Sequence, residues 1–129
     1  MILVDTSAWV EFFRGREPLA SLVASLLDDN EVALCGPVLS ELRRGIRSAR
    51  ERRQVLPLLG ACHLLEQPAA LWEDAGDLGF SLARRGAQVK TLDLLIAVYA
   101  LTHQISLLTL DRDFALIRKA GLPLVLASV

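Results

Sequence analysis

The sequence predicts an α/β fold built on a parallel sheet, and two observations indicate it. Aliphatic runs of three or four residues alternate along the chain with longer stretches of helical character. No repeat, low-complexity tract or linker interrupts this alternation. Strands separated by helices are typical of parallel sheets covered on both faces, with right-handed crossovers. A length of 129 residues predicts a single domain over residues 1–129.

The aliphatic runs predict where the strands lie. The residues typical of helix starts and ends predict the bounds of the helices. Five strands are expected at residues 2–4, 32–35, 63–65, 106–109 and 124–126. Helices are expected over about residues 7–14, 18–27, 36–46, 49–59, 68–85, 91–103 and 113–120. Pro18 and Pro68 suit first helical turns, and Thr91 suits an N-cap. Gly86 and Gly121 suit helix ends.

Composition excludes several classes of protein. Hydrophobic residues make up 53% of the chain, yet the longest apolar run, 94–101, has eight residues, against the roughly twenty of a transmembrane helix. The N-terminus lacks the basic start of a secretory signal. Two cysteines, Cys35 and Cys62, are too few for a metal quartet, and we expect reduced core thiols in a cytoplasmic protein. A net charge of −1 argues against a basic nucleic-acid binder.

One segment departs from this balance of charge. Six arginines lie between positions 43 and 53, against one acid, Glu51. Arginine forms bidentate pairs with phosphate that lysine cannot form. Arg43, Arg44 and Arg47 are therefore candidate contacts to the phosphates of a polyanion. The alternative is a solvated helical face, and the sequence leaves both interpretations open.

Four isolated acids give the main functional signal. Asp5 and Asp111 follow the first and fourth predicted strands, Glu41 lies on the helix after the second, and Asp93 opens the long apolar run. An acid among apolar residues is costly unless a cation, a donor or a proton neutralises it. Ligands of open α/β sheets bind beyond the carboxyl ends of the strands. We therefore expect these acids to meet at one edge around Mg²⁺ or Mn²⁺.

Each of these acids also has a purely structural interpretation. Asp5 could cap the first helix, although the two hydroxyl residues after it could do so instead. Asp93 could favour its helix dipole from the first turn. Asp111 could cap the last helix, but Asp113 is better spaced for that, and Asp113 stays open between cap and site. Glu41, taken alone, resembles an ordinary surface residue.

At these residues the chain resembles a PIN-domain ribonuclease, in particular the VapC toxins of toxin–antitoxin pairs. Four segments across nearly the whole chain carry the resemblance in the family's order: LVDTSAWVEFFRG (3–15), SELRRG (40–45), DLLIA (93–97) and LTLDRDF (108–114). By this resemblance the catalytic and metal-binding acids are Asp5, Glu41, Asp93 and Asp111. The hydroxyls that orient carboxylates or water are Thr6 or Ser7, and Thr109.

The resemblance also implies a fold, a reaction and partners. The fold is a three-layer α/β/α sandwich with a parallel sheet ordered 3-2-1-4-5. The reaction is Mg²⁺- or Mn²⁺-dependent cleavage of RNA, often a tRNA or a ribosomal RNA. The partners are a VapB antitoxin and a second copy of the chain. Within the site we expect Asp5 and Asp93 as direct ligands, and Asp111 and Glu41 as ligands of a second ion, holders of water or general base.

Two alternatives come from other functional classes. A non-catalytic RNA- or protein-binding module could use the same fold. A phospho-receiver domain has similar length, but it would need an acidic pair after the first strand and a lysine after the fifth. Here Asp5 stands alone, and no lysine follows Leu124.

Overall fold

The computed structural model describes residues 1–128 and contains one parallel sheet of four short strands. The strands are β1 (Ile2–Val4), β2 (Val32–Leu34), β3 (His63–Leu64) and β4 (Ser106–Leu108). They lie in the order β3-β2-β1-β4, and every neighbouring pair is parallel. The predicted α/β class and the predicted order of these four strands are confirmed.

A fifth strand does not form in residues 1–128, which corrects the expectation of a strand at 124–126. The segment meets β4 at a single parallel bridge between Leu107 and Leu126. Leu107 N–H donates to Val125 O, and Ala127 N–H donates to Leu107 O, both at 2.9 Å. Pairing stops there because β4 is only three residues long.

Seven helices accompany the sheet in the described part of the chain. They are α1 (Thr6–Phe13), α2 (Leu19–Asp28), α3 (Gly36–Arg44), α4 (Ala49–Gly60), α5 (Leu71–Arg84), α6 (Thr91–His103) and α7 (Asp113–Lys119). Across residues 1–128, none of them has both the length and the apolar character that a bilayer span requires.

The first turn of α5 and the cap of α6 differ from the expectation. Helix α5 begins at Leu71 rather than at Pro68, because Leu71 N–H donates to Pro68 O at 3.2 Å in a turn that precedes the helix. At the start of α6, Thr91 is the first helical residue rather than the cap. Lys90 holds the N-cap position, with extended backbone and no capping hydrogen bond from its side chain.

Helix α6 forms the centre of the core. Residues 93–100 are all buried, and the helix packs against α3, α5 and α7. A helix that is apolar on all sides is stable only when protein surrounds it. Asp93 is the first residue of this buried stretch, and Asp5 and Asp93 are the charged residues buried in the described part of the chain. At one edge of the sheet, the carboxylates of Asp5 and Asp93 therefore lie directly against the hydrophobic core.

Helix α5 ends in a hydrogen-bonded turn centred on Gly86. Gly86 N–H donates to Ala83 O at 3.0 Å, and Ala87 N–H donates to Leu82 O at 2.9 Å. Gly86 has φ +83°, a left-handed conformation that costs little only for glycine. This is the Schellman arrangement of a helix C-terminus, as the sequence predicted for this glycine.

Gly86→Ala is expected to lower the free energy of unfolding by about 1 kcal/mol, because a Cβ strains the left-handed backbone. Gly76→Ala is the matched control on the same helix. A Cβ added there meets no atom within 4 Å, so alanine should be neutral or stabilise by up to about 1 kcal/mol. Urea unfolding measures both variants. A Gly86→Ala protein as stable as the Gly76→Ala protein would contradict this account.

Candidate acidic metal site

Three aspartates meet beyond the carboxyl end of β4. One carboxylate oxygen each from Asp93, Asp111 and Asp113 lies within 4.8 Å of the others. Asp93 comes from the first turn of α6, Asp111 from the loop after β4, and Asp113 from the first position of α7. Carboxylates this close repel one another unless a proton or a cation intervenes. We call this group the aspartate trio.

The loop after β4 answers the question that the sequence left open for Asp113. Asp111 Oδ1 accepts from Asp113 N–H at 3.0 Å, and Thr109 Oγ1 accepts from Asp111 N–H at 3.0 Å. Short polar side chains thus hold the loop through its own backbone. The N-cap position of α7 belongs to Arg112, whose side chain makes no capping bond. The carboxylate of Asp113 therefore serves the trio rather than a helix cap.

Asp93 is the least satisfied acid of the trio. It is only 7% exposed, and within residues 1–128 its Oδ2 has no hydrogen-bond partner. Burial raises the pKa of Asp93 to about 7, the negative charge of Asp111 adds to the rise, and Lys90 opposes it. A carboxylate in such surroundings needs a proton or a cation. This unpartnered oxygen points to a ligand at the trio.

Asp5 adjoins the trio and is held by two hydroxyls. Ser7 Oγ donates to Asp5 Oδ2 at 2.8 Å, and Thr109 Oγ1 donates to the same oxygen at 2.7 Å. Leu110 N–H donates in turn to Ser7 Oγ at 3.0 Å. Asp5 occupies the N-cap position of α1, but its side chain makes no capping bond. The two hydroxyls thus hold Oδ2, and the other oxygen takes no part in these bonds.

Glu41 lies on the opposite side of Asp5 from the β4 loop, on α3. Thr6 Oγ1 donates to Glu41 Oε1 at 2.8 Å. Burial raises the pKa of Cys35 to about 12, and the negative charges of Asp5 and Glu41 contribute to the rise. Both acids therefore act electrostatically on the same thiol at the end of β2.

The structure thus divides the expected acids into two sets. Asp93 and Asp111 join Asp113 in the trio, whereas Asp5 and Glu41 lie outside that 4.8 Å group. The expectation that Asp5 and Asp93 are direct metal ligands stays a prediction. The signal for Asp113 was present in the sequence, because an Asp-x-Asp spacing can bring two carboxylates of one loop together.

The donor set suits a divalent cation. The trio offers carboxylate oxygens, which hard cations such as Mg²⁺ and Mn²⁺ prefer. Within residues 1–128, one of these oxygens is buried without a partner, and a cation would offset the burial and the repulsion that raise the pKa of Asp93. The residues present therefore fit a divalent ion at the trio.

A groove of about 400 Å³ runs along the protein next to Glu41. It lies between α1, α3 and the start of α4, and Leu42 and Val55 form part of its apolar wall. Its polar lining consists of Thr6, Arg14, Glu41, Arg47 and Glu51. The groove thus brings Glu41, at the edge of the acidic site, and Arg47, in the turn after α3, onto one surface.

The chain is similar to a known protein family and to curated proteins. The PIN domain family matches residues 2–120. The chain is 31% identical over 124 residues to the protein named VapC ribonuclease Mb1587 of Mycobacterium bovis, with 92% of each chain covered. It has the same identity and coverage with Ribonuclease VapC11 of Mycobacterium tuberculosis.

Solved structures share the fold at lower identity. VapBC-1 from nontypeable Haemophilus influenzae superposes with a TM-score of 0.77 at 20% identity, covering 99% of this chain and 98% of that chain. VapBC2 from Rickettsia felis, bound to a DNA fragment from its promoter, gives 0.76 at 22% identity and 98% of both chains. FitAcB from Neisseria gonorrhoeae gives 0.71 at 23% identity, over 98% and 97% of the two chains.

Asp93→Asn is expected to stabilise the protein at pH 8 in EDTA. Because the pKa of Asp93 is raised to about 7, the folded protein keeps a proton that the unfolded chain has released. The free energy of unfolding therefore falls as the pH rises from about 4 to about 7. Asparagine does not titrate, so the variant should exceed the wild type by at least about 1 kcal/mol at pH 8, and by less at pH 5.

Urea unfolding at both pH values measures this difference. Asp77→Asn is the matched control, because Asp77 is an exposed aspartate on α5. It should stay within about 0.5 kcal/mol of the wild type at either pH. An Asp93→Asn protein less stable than the wild type at pH 8 would contradict the electrostatic account of the trio.

Proposed function

The chain belongs to the PIN domain family, and we propose that it is a metal-dependent endoribonuclease, the toxin of a type II toxin–antitoxin pair. The observation that carries the proposal is the buried Asp93, whose Oδ2 has no partner in residues 1–128 and which belongs to a trio of carboxylates. Such a group is costly to a fold that has no ligand for it. The curated relatives carry the name ribonuclease, and phosphodiester hydrolysis is chemistry that clustered carboxylates support.

In this proposal the aspartate trio holds Mg²⁺ or Mn²⁺. When bound, the ion supplies Lewis acidity that stabilises charge on the phosphate and lowers the pKa of water. Asp5 is held in one orientation by Ser7 and Thr109, so its second oxygen can accept a hydrogen bond from water or assist the trio. Such fixed carboxylates need little rearrangement during the reaction.

Glu41 has a different role in this proposal. It is half-buried beside the groove, and Thr6 orients its Oε1. A carboxylate fixed at the edge of the site can accept the proton of the attacking water as a general base. Replacing Glu41 with glutamine would keep the bond from Thr6 and remove the base.

The alternatives are weaker on the same observations. A phospho-receiver domain is wrong, because the family match over residues 2–120 is to the PIN domain. A non-catalytic binding module would have no use for carboxylates that destabilise the protein by mutual repulsion. The intact acids therefore favour the enzyme.

The proposal includes partners and a location. Structures that share the fold are complexes with the names VapBC and FitAcB, and we propose a VapB-type antitoxin for this chain. Homodimerisation, which the resemblance implies, stays a prediction. The cytoplasm is the proposed location, since RNA is available there and the free thiols of Cys35 and Cys62 stay reduced.

Asp93→Asn is expected to lower Mn²⁺-dependent cleavage of a labelled RNA at least about 100-fold, because it removes a trio carboxylate. Initial rates with MnCl₂ and with EDTA measure the metal-dependent part. Calorimetry without RNA should show Mn²⁺ binding to the wild type and much weaker binding to the variant. Asp77→Asn should retain both properties, and full metal-dependent activity in Asp93→Asn would overturn the assignment.

A further inference from the structure

Residues 43–53, here called the arginine segment, form a strongly charged surface beside the site. The segment spans the end of α3, the turn after it and the first turns of α4. All of its arginines are exposed: Arg43, Arg44, Arg47, Arg50, Arg52 and Arg53. Within residues 1–128, none of them lies within 4 Å of an acid in an ion pair. Its one acid, Glu51, leaves a net charge of +5 in a chain whose total is −1.

Helix electrostatics does not account for this charge. Arg43 and Arg44 lie in the last turn of α3, where positive charge is favourable. Arg50, Arg52 and Arg53 lie near the N-terminus of α4, where the helix dipole disfavours positive charge. Ser48 and Glu51 already satisfy the start of α4, because Ser48 Oγ accepts from Glu51 N–H at 3.1 Å. The arginines on α4 therefore add repulsion that an anionic ligand would relieve.

The groove described above joins this surface to the acidic site. Arg47 and Glu41 line the same groove, together with Thr6, and Glu41 bonds to Thr6, the neighbour of Asp5. A volume of about 400 Å³ is the size of a small-ligand pocket. It therefore suits unpaired nucleotides rather than an RNA duplex. A polyanion held by the arginines would enter the site from this side.

We propose that the arginine segment binds the phosphate backbone of single-stranded RNA and that the groove leads this strand to the acidic site. The inference rests on the proposed ribonuclease function and adds the surface that holds the substrate. RNA is favoured over a protein partner because its phosphates repeat along the strand, as the arginines do along the segment. Arginine binds phosphate in bidentate fashion, and the acidic site alone would repel the substrate.

The test uses Arg50→Gln/Arg53→Gln, since these side chains lie one turn apart on the exposed face of α4. Binding of a fluorescent single-stranded RNA in EDTA is measured by anisotropy over a range of salt concentrations. Each lost phosphate contact lowers the slope of log K against log salt by about 0.7. The double variant should therefore show a slope smaller by about 1.4. In cleavage assays with MnCl₂, its KM should rise more than its kcat falls.

Arg84→Gln/Arg118→Gln is the matched control, because it removes the same charge from outside the arginine segment. Its salt slope should equal that of the wild type. A duplex of the same sequence should bind more weakly than the single strand to the wild type. An unchanged slope in Arg50→Gln/Arg53→Gln would overturn the inference, and so would tighter binding of the duplex. Loss of antitoxin binding with unchanged RNA binding would likewise overturn it in favour of a protein surface.

These outcomes are separable from failure of the proposed function. If the wild type cleaves RNA with Mn²⁺ but the salt slope is unchanged in Arg50→Gln/Arg53→Gln, the ribonuclease assignment holds and the arginine segment has no role in RNA binding. If the wild type cleaves no RNA, the ribonuclease assignment fails, and with it the path to the site. Unfolding curves of both double variants confirm that the fold is retained.

Discussion

The pairing of β1 with β4 is the constraint on which the site depends. Val4 lies opposite Leu108 in the parallel ladder, and Asp5 N–H donates to Leu108 O at 2.9 Å. The two strands therefore end at the same level, and the residue after each, Asp5 and Thr109, comes within hydrogen-bond distance. A shift of one residue in this register would turn the side chains to the other face. The backbone hydrogen bonds of the β1–β4 ladder thus fix the position of Asp5.

From that pairing a chain of hydroxyls extends to the rest of the acids. Thr109 bonds both to Asp5 and to the backbone of Asp111, so the ladder also determines where the β4 loop begins. Asp111 then binds the backbone of Asp113, and the buried helix α6 brings Asp93 from the other side. The protein thereby holds like charges together in a buried place, and burial, with the negative charge of Asp111 added, raises the pKa of Asp93. Stability at this edge is lower than packing alone would give, which is common where a ligand completes a site.

The sequence was sufficient for the features that depend on composition and order. Aliphatic runs located β1 to β4, and the position of Asp5 at a strand end placed it at the sheet edge where the other acids lie. It was insufficient where a few hydrogen bonds decide. The start of α5 depends on a turn at Pro68. The predicted fifth strand is only a single bridge at Leu126. The aspartate trio likewise depends on loop geometry. Whether Asp113 takes the cap position or the first helical position is decided by the backbone of the loop, and the pattern of residue types does not encode this.

The two charged surfaces of the molecule are physically complementary. A site of carboxylates repels the phosphates that it must cleave, and at physiological ionic strength this repulsion reaches about 8 Å. The arginine segment begins two residues after Glu41 on the same helix, close enough for its field to offset the repulsion at the approach to the site. A metal ion can neutralise the trio itself, but not the groove through which a strand arrives. The positive surface therefore attracts the polymer, and the acidic site activates one bond of it. The groove joins the two.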